Sequence, residues 1–199
     1  MTRVAALLVL ALLAPLHAHA AGNSNPAYFA CRSCHGDSGL GTDAINVPAI
    51  AGQSQTYLAR QLRNYRDGIR GNTPQDIWGG QMALMAANLD DEGIEILAQS
   101  VATMPPWPSR GQGEQAAAPK EYAACAACHG EQGEGLSQTN SPRISGLDPL
   151  YLARQLRNFR DGLRGQHPGD DNGRLMRAAL PPAINNSAID RLAAYIAAL

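Results

Sequence analysis

The chain has 199 residues, a formal net charge of −1 and only 17% charged residues. That balance argues against a nucleic-acid binder, which needs a basic surface. Aromatic residues make up just 5%, so two small domains cut from this length would have thin cores unless something large and apolar filled them.

The N-terminus reads as a leader. Arg3 precedes an apolar run from Val4 to Leu16, and Ala18-His19-Ala20 supplies a small-x-small site, which together predict a signal peptide over 1–20 cleaved after Ala20. The run is too short to span a bilayer, which takes about 20 apolar residues, so the remaining chain is expected to be exported and soluble.

From residue 25 onward the reading is helical. Asn25-Pro26 opens a first helix, with Pro at the favoured first position. Residues 36–53 are Gly-rich and irregular. Ser54 can cap the next helix, in which Leu58, Leu62, Tyr65 and Ile69 form an apolar stripe, with Gly71 as its stop. A further helix begins near Asp90, with Ile94, Leu97 and Val101 on one face. Residues 103–120 are rich in Pro, Gly and Ala and read as a linker. The pattern then returns: Asp148 and Pro149 open the repeated helix, Gly165 is its stop, and a last helix starts near Asn185 with Ile189, Leu192 and Ile196 on one face. No strand-like alternation competes.

The return is a duplication. YLARQLRNYRDGIRG (57–71) recurs as YLARQLRNFRDGLRG (151–165), identical at thirteen of fifteen positions and offset by 94 residues. The same offset relates Tyr28 to Tyr122, CRSCH (31–35) to CAACH (125–129), and Pro48 to Pro142. Two copies of this length predict a duplicated domain rather than a solenoid, with boundaries at 21–102, 103–118 (linker) and 119–199. The first copy holds five arginines against eight acids and the second nine bases against eight acids, balances of −3 and +1.

C-x-x-C-H is the pattern for covalent attachment of c-type haem. Two thiols reach the porphyrin's vinyl groups and the adjacent His falls under the iron. Cys31, Cys34, Cys125 and Cys128 are thus expected to hold two haems, with His35 and His129 as proximal ligands. A redox disulfide would want a βαβ context, and a zinc site would not end each pair in His. In the first copy after the leader the only His is His35 and there is no Lys, which leaves Met82, Met85 or Met104 as the distal ligand, or an open site. The second copy has one Met, Met176, and the offset pairs it with Met82; Met85 then reads as core packing, and His167 as a loop residue. A one-residue insertion follows at Leu180-Pro181-Pro182. Pro48 and Pro142, each 13 residues after its His, are candidates to accept the proximal His Nδ1–H through their carbonyls, because ligating His nearly always has such a partner. Arg60, Arg63, Arg66 and Arg70 recur as Arg154, Arg157, Arg160 and Arg164. They either form a solvated face or reach haem propionates or the other domain.

Paired C-x-x-C-H motifs, the YLARQLRN helix in both copies and a Met downstream in each resemble the cytochrome c4 family over the whole mature chain. The resemblance implies an all-α protein of two tandem class I cytochrome c domains related by a pseudo-twofold axis, each with a His/Met-ligated haem c. It implies a periplasmic, non-enzymatic electron carrier whose partners are redox proteins, such as an upstream cytochrome complex or a membrane-bound terminal oxidase. The alternatives are the haem-carrying subunit of a dehydrogenase, such as a flavoprotein dehydrogenase, and a dihaem peroxidase, which would need one open iron.

Overall fold

Local capping chemistry sets most element ends. The Asn25 side chain accepts from the Ala27 N–H at 2.9 Å, opening a 3-10 turn, Pro26–Tyr28, that runs into α1, Phe29–His35. The protein is described here by a computed structural model covering residues 25–110, 117–181 and 183–199; the expected leader and its cleavage site lie outside the described residues. Ser54 caps α2, Gln55–Arg66, and Asp76 caps α3, Ile77–Ala86. Asp90 caps α4, Asp91–Ala102. The second copy repeats the order: α5, Tyr122–His129; α6, Pro149–Arg160, capped by Asp148; α7, Asp171–Ala179, capped by Asp170; and α8, Asn186–Ala198, capped by Asn185. Each cap satisfies one of the N–H groups that a helix start leaves without a partner. Among the described residues the β structure is two isolated bridges, Thr42–Val47 and Leu136–Ser141, again 94 apart. No described helix is long and apolar enough to cross a membrane.

Two elements differ from the sequence reading. The repeated helix ends at Arg66 and Arg160, five residues before the glycines expected to stop it. The chain leaves through Gly68 and Gly162, both at positive φ, where glycine has no steric cost. Gly71 serves a close approach instead: a Cβ there would lie 2.2 Å from the Gly79 carbonyl oxygen on α3, and Gly165 meets Gly173 on α7 in the same way. The second difference is α3 and α7 themselves, which the sequence reading did not assign as helices; α3 has no apolar periodicity to announce it, and amphipathic α7 is short.

Helix α2 packs on α4, and α6 on α8. Tyr28, Ala51, Leu97, Val101 and Met104 form the first core; Tyr122, Leu152, Leu156, Phe159, Ile189, Leu192 and Ile196 belong to the second. The start of the supposed linker is packed rather than free. Met104 is buried in the first core while Trp107, three residues on, is buried in the second. The Trp107 Nε1–H donates to the Ser145 carbonyl at 2.7 Å, and Arg143 lies over its ring at 4.8 Å. Arg110 then joins the copies, donating to Asp43 (2.6 and 2.8 Å) and to the Gly146 carbonyl (2.9 Å).

Several contacts between the copies come in reciprocal pairs, as a twofold relation produces. Arg60 donates to the Asn140 carbonyl at 3.0 Å, and Arg154 to the Asn46 carbonyl at 2.9 Å. Asn64 donates to Asp170 at 3.4 Å, and Asn158 to Asp76 at 3.2 Å. At the centre, Arg70 and Arg164 each donate to both Gln61 and Gln155.

Candidate functional site

A helical turn puts Cys31, Cys34 and His35 on one face of α1, since residues three and four apart are neighbours there; Cys125, Cys128 and His129 occupy α5 identically. All four cysteines are free thiols. Cys31 and Cys125 are half-buried and Cys34 and Cys128 exposed; burial pushes the Cys31 and Cys125 thiols up. Both histidines are buried. His35 Nδ1 lies 2.9 Å from the Pro48 carbonyl, and His129 Nδ1 2.8 Å from that of Pro142. A carbonyl only accepts, so Nδ1 carries the proton and Nε2 presents its lone pair. Burial holds both rings below the usual imidazole range, the carbonyl contact opposing it. Tyr28 and Tyr122 pin the turn after each His, donating to the carbonyls of Gly36 (2.8 Å) and Gly130 (3.1 Å); burial pushes both phenols up to about 12.

In the second copy these groups converge. A cavity of about 560 Å³ is lined by Cys125, Cys128, His129, Pro142 and Met176, with Leu152, Leu156 and Phe159 among its apolar walls. Tyr57, Arg60 and Gln61 of the first copy complete it. Met176 sits on α7, partly buried and packed on the second core. Met82 occupies the equivalent place on α3 and is half-buried. Of the other methionines, Met104 is core, and Met85, read above as core packing, is 52% exposed on α3. His167 is exposed, its Nδ1 accepting from the Gly169 N–H within its own loop.

Whether these residues suit a haem is tested by the arginines. Arg63, Arg66, Arg157 and Arg160 pair with acids at the surface. Arg60, Arg70, Arg154 and Arg164 do not: among the described residues none forms an ion pair, and each leaves its buried Nε without a partner. Burial pushes the Arg60 and Arg154 guanidinium groups down, against the pull of nearby Asp170 on the first and of Asp76 and Asp148 on the second. Buried cations need anionic company, and each haem c brings two propionates. Arg60 and Arg164 line the same cavity as His129 and Met176. Free thiols, a free Nε2 lone pair, a thioether, apolar walls and unpaired guanidinium groups are what this group requires.

The sequence reading left the arginine repeat undecided, and the structure divides it by position. It also brings in Asp76 and Asp170, buried caps of the methionine helices. Their signal was present, an acid six residues before each Met at the repeat offset, but only as a cap for a helix not otherwise visible.

The profile of the family described as Cytochrome c matches residues 25–104 and again 115–199. The chain is 30% identical over 204 residues to a cytochrome c4 of Pseudomonas aeruginosa, covering 98% of this chain and 97% of that one. The chain belongs to the cytochrome c4 family. This cytochrome carries two haem c groups, one in each of its tandem cytochrome c domains, and it transfers electrons. It is also 32% identical to a protein named thiosulfate dehydrogenase electron acceptor in Stutzerimonas stutzeri, over 85% of each chain. In three dimensions it resembles the cytochrome c4 of Acidithiobacillus ferrooxidans, with a TM-score of 0.68 and 29% identity, covering 85% of this cytochrome and 98% of that chain.

Proposed function

We propose that the chain is exported to the periplasm and works there as a dihaem electron carrier that catalyses no reaction of its own. In this reading Cys31 and Cys34 bind one haem and Cys125 and Cys128 the other. His35 with Met82 would hold one iron, and His129 with Met176 the other. The observation that carries the reading is the lining of one cavity by Cys125, Cys128, His129 and Met176. When bound, haem supplies an iron that gains and loses one electron, at a potential that a Met/His pair raises. The protein's own part is to hold the imidazole tautomer through Pro48 and Pro142, to keep water from the cavity with its apolar walls, and to offer arginine to the propionates.

Intact-mass spectrometry of the exported protein tests this directly. The expected mass is that of residues 21–199 plus two haems, and a shortfall of one haem would remove one motif from the proposal. Slow or absent carbon monoxide binding to the reduced protein is expected of two closed irons; rapid binding would favour the peroxidase alternative.

The proposed partners are redox proteins. An upstream cytochrome complex and a terminal oxidase suit a carrier; the resemblance to a thiosulfate dehydrogenase electron acceptor favours a second reading, in which a dehydrogenase is the donor. Identifying which protein co-purifies with the native cytochrome separates the two.

A further inference from the structure

The two methionine helices began as copies, yet they have diverged at their surface. Helix α3 carries no charged residue. On α7, Arg174 stands where α3 has Gly80, and Arg177 where α3 has Ala83. These two arginines flank Met176, and both line a second cavity, of about 460 Å³, together with Arg160, Leu180 and Pro181. Pro181 lies where the second copy carries its one-residue insertion. The two arginines that α7 has and α3 lacks therefore meet in a single cleft.

Three guanidinium groups and no carboxylate form its lining. Arg160 and Arg174 keep acids of their own, Asp161 and Asp171, outside it. Arg177 is exposed and has no side-chain partner among the described residues. Leu180 and Pro181 line both this cleft and the 560 Å³ cavity that holds His129 and Met176, so the two spaces share a wall. Beside the cleft, Leu175 stands 70% exposed.

Resting on the electron-carrier reading, we propose that this cleft is the docking site for an acidic surface of a protein redox partner, which it seats against the second haem. A protein surface suits the geometry better than a free oxyanion. Tight capture of a small anion calls for convergent, desolvated donors, whereas here two of the three arginines are already paired and Arg174 is 55% exposed. Exposed pairs of this kind are weak and exchange partners readily, and charges at a rim act chiefly on the rate of encounter.

The test compares Arg177→Glu with Arg191→Glu in the haem-loaded cytochrome. Both make the same change in net charge, but Arg191 lies on α8 and does not line the cleft. The probe is a blue copper protein with an engineered glutamate patch, with a neutral-patch version as reference. At low salt Arg177→Glu should slow exchange with the acidic probe by about fivefold or more, Arg191→Glu by less than about twofold, and the gap should close near 0.5 M salt. Titrating the acidic probe should shift the amide resonances of Leu175 and Arg177. Equal slowing by both variants would mean that only net charge matters and would overturn the proposal. So would saturation of those amides by millimolar sulfate, at constant ionic strength, without response to the probe. If the wild type exchanges electrons with neither probe, the carrier reading itself fails; normal exchange that Arg177→Glu leaves unchanged removes the docking site alone.

Discussion

At His35 and His129 a backbone carbonyl fixes the tautomer, so the proximal side of each site is set before any cofactor arrives. In the proposed ligation the distal side rests on one thioether per copy. Met82→Ala should remove about half of the weak red charge-transfer band of the oxidised protein and lower one potential, and Met176→Ala should remove the other half. Met85→Ala should leave spectrum and potentials unchanged, because the repeat places Ala179 at that position in the second copy. These residues were legible in the sequence, since thiol, imidazole and thioether each have few uses and the repeat offset chose among them. Gly71 was not. A glycine at positive φ can end a helix or admit a neighbour, and the letters are the same. Gly71→Ala should cost on the order of 1–3 kcal/mol in chemical denaturation, for its Cβ would meet the Gly79 carbonyl.

At the scale of elements, helices α2, α4, α6 and α8 were legible because each has one apolar face to bury. Helix α3, IWGGQMALMA, has no polar face to contrast with its apolar one and contains two glycines, so periodicity could not find it; its cap at Asp76 and the packing of Gly79 against Gly71 fix it instead. Replacing Asp170 with Ala should cost about 0.5–2 kcal/mol as a lost cap. It should also make the Met176 band disappear at a lower temperature than the Met82 band, a readout that general destabilisation would not split. The packing of the segment after α4 was not legible, for a different reason. Its prolines describe a chain without secondary structure, and they say nothing of whether it is packed. Trp107→Ala should destabilise the protein by about 3–5 kcal/mol. Arg110 acts on the same strap through pH. Its hydrogen bonds hold the Asp43 carboxyl below the usual carboxylate range. A depressed folded-state pKa contributes stability above the unfolded value of about 3.9, and that contribution is lost as pH falls through the lower folded value. The loss should therefore appear only below about pH 4, and Asp43→Asn should abolish that part of the pH dependence in denaturation curves.

Across the whole molecule, the duplication is plain in the sequence and the family resemblance implied the pseudo-twofold, yet the interface could not be read from either, because the repeated helix presents surface and buried arginines at the same short intervals. Which ones turn inward depends on where the second copy sits. Removing both haems should leave the buried Arg70 and Arg164 and the half-buried Arg60 and Arg154 without a direct ion pair at the interface between the copies. Calorimetry should then resolve two separate transitions in the haem-free chain and a single one in the loaded protein. The reciprocal contacts of Asn64 with Asp170 and Asn158 with Asp76 reach further. Each copy's methionine helix is capped by an acid that the other copy holds in place, so neither copy owns the whole of its own site. A lone ancestral domain must have managed without that grip. Once it was shared, the duplication could not be undone by cutting the gene in two, since each half would inherit a helix start with its support left behind. The two copies are then free to drift apart at positions such as 80 and 174, but bound to change together at 64, 76, 158 and 170.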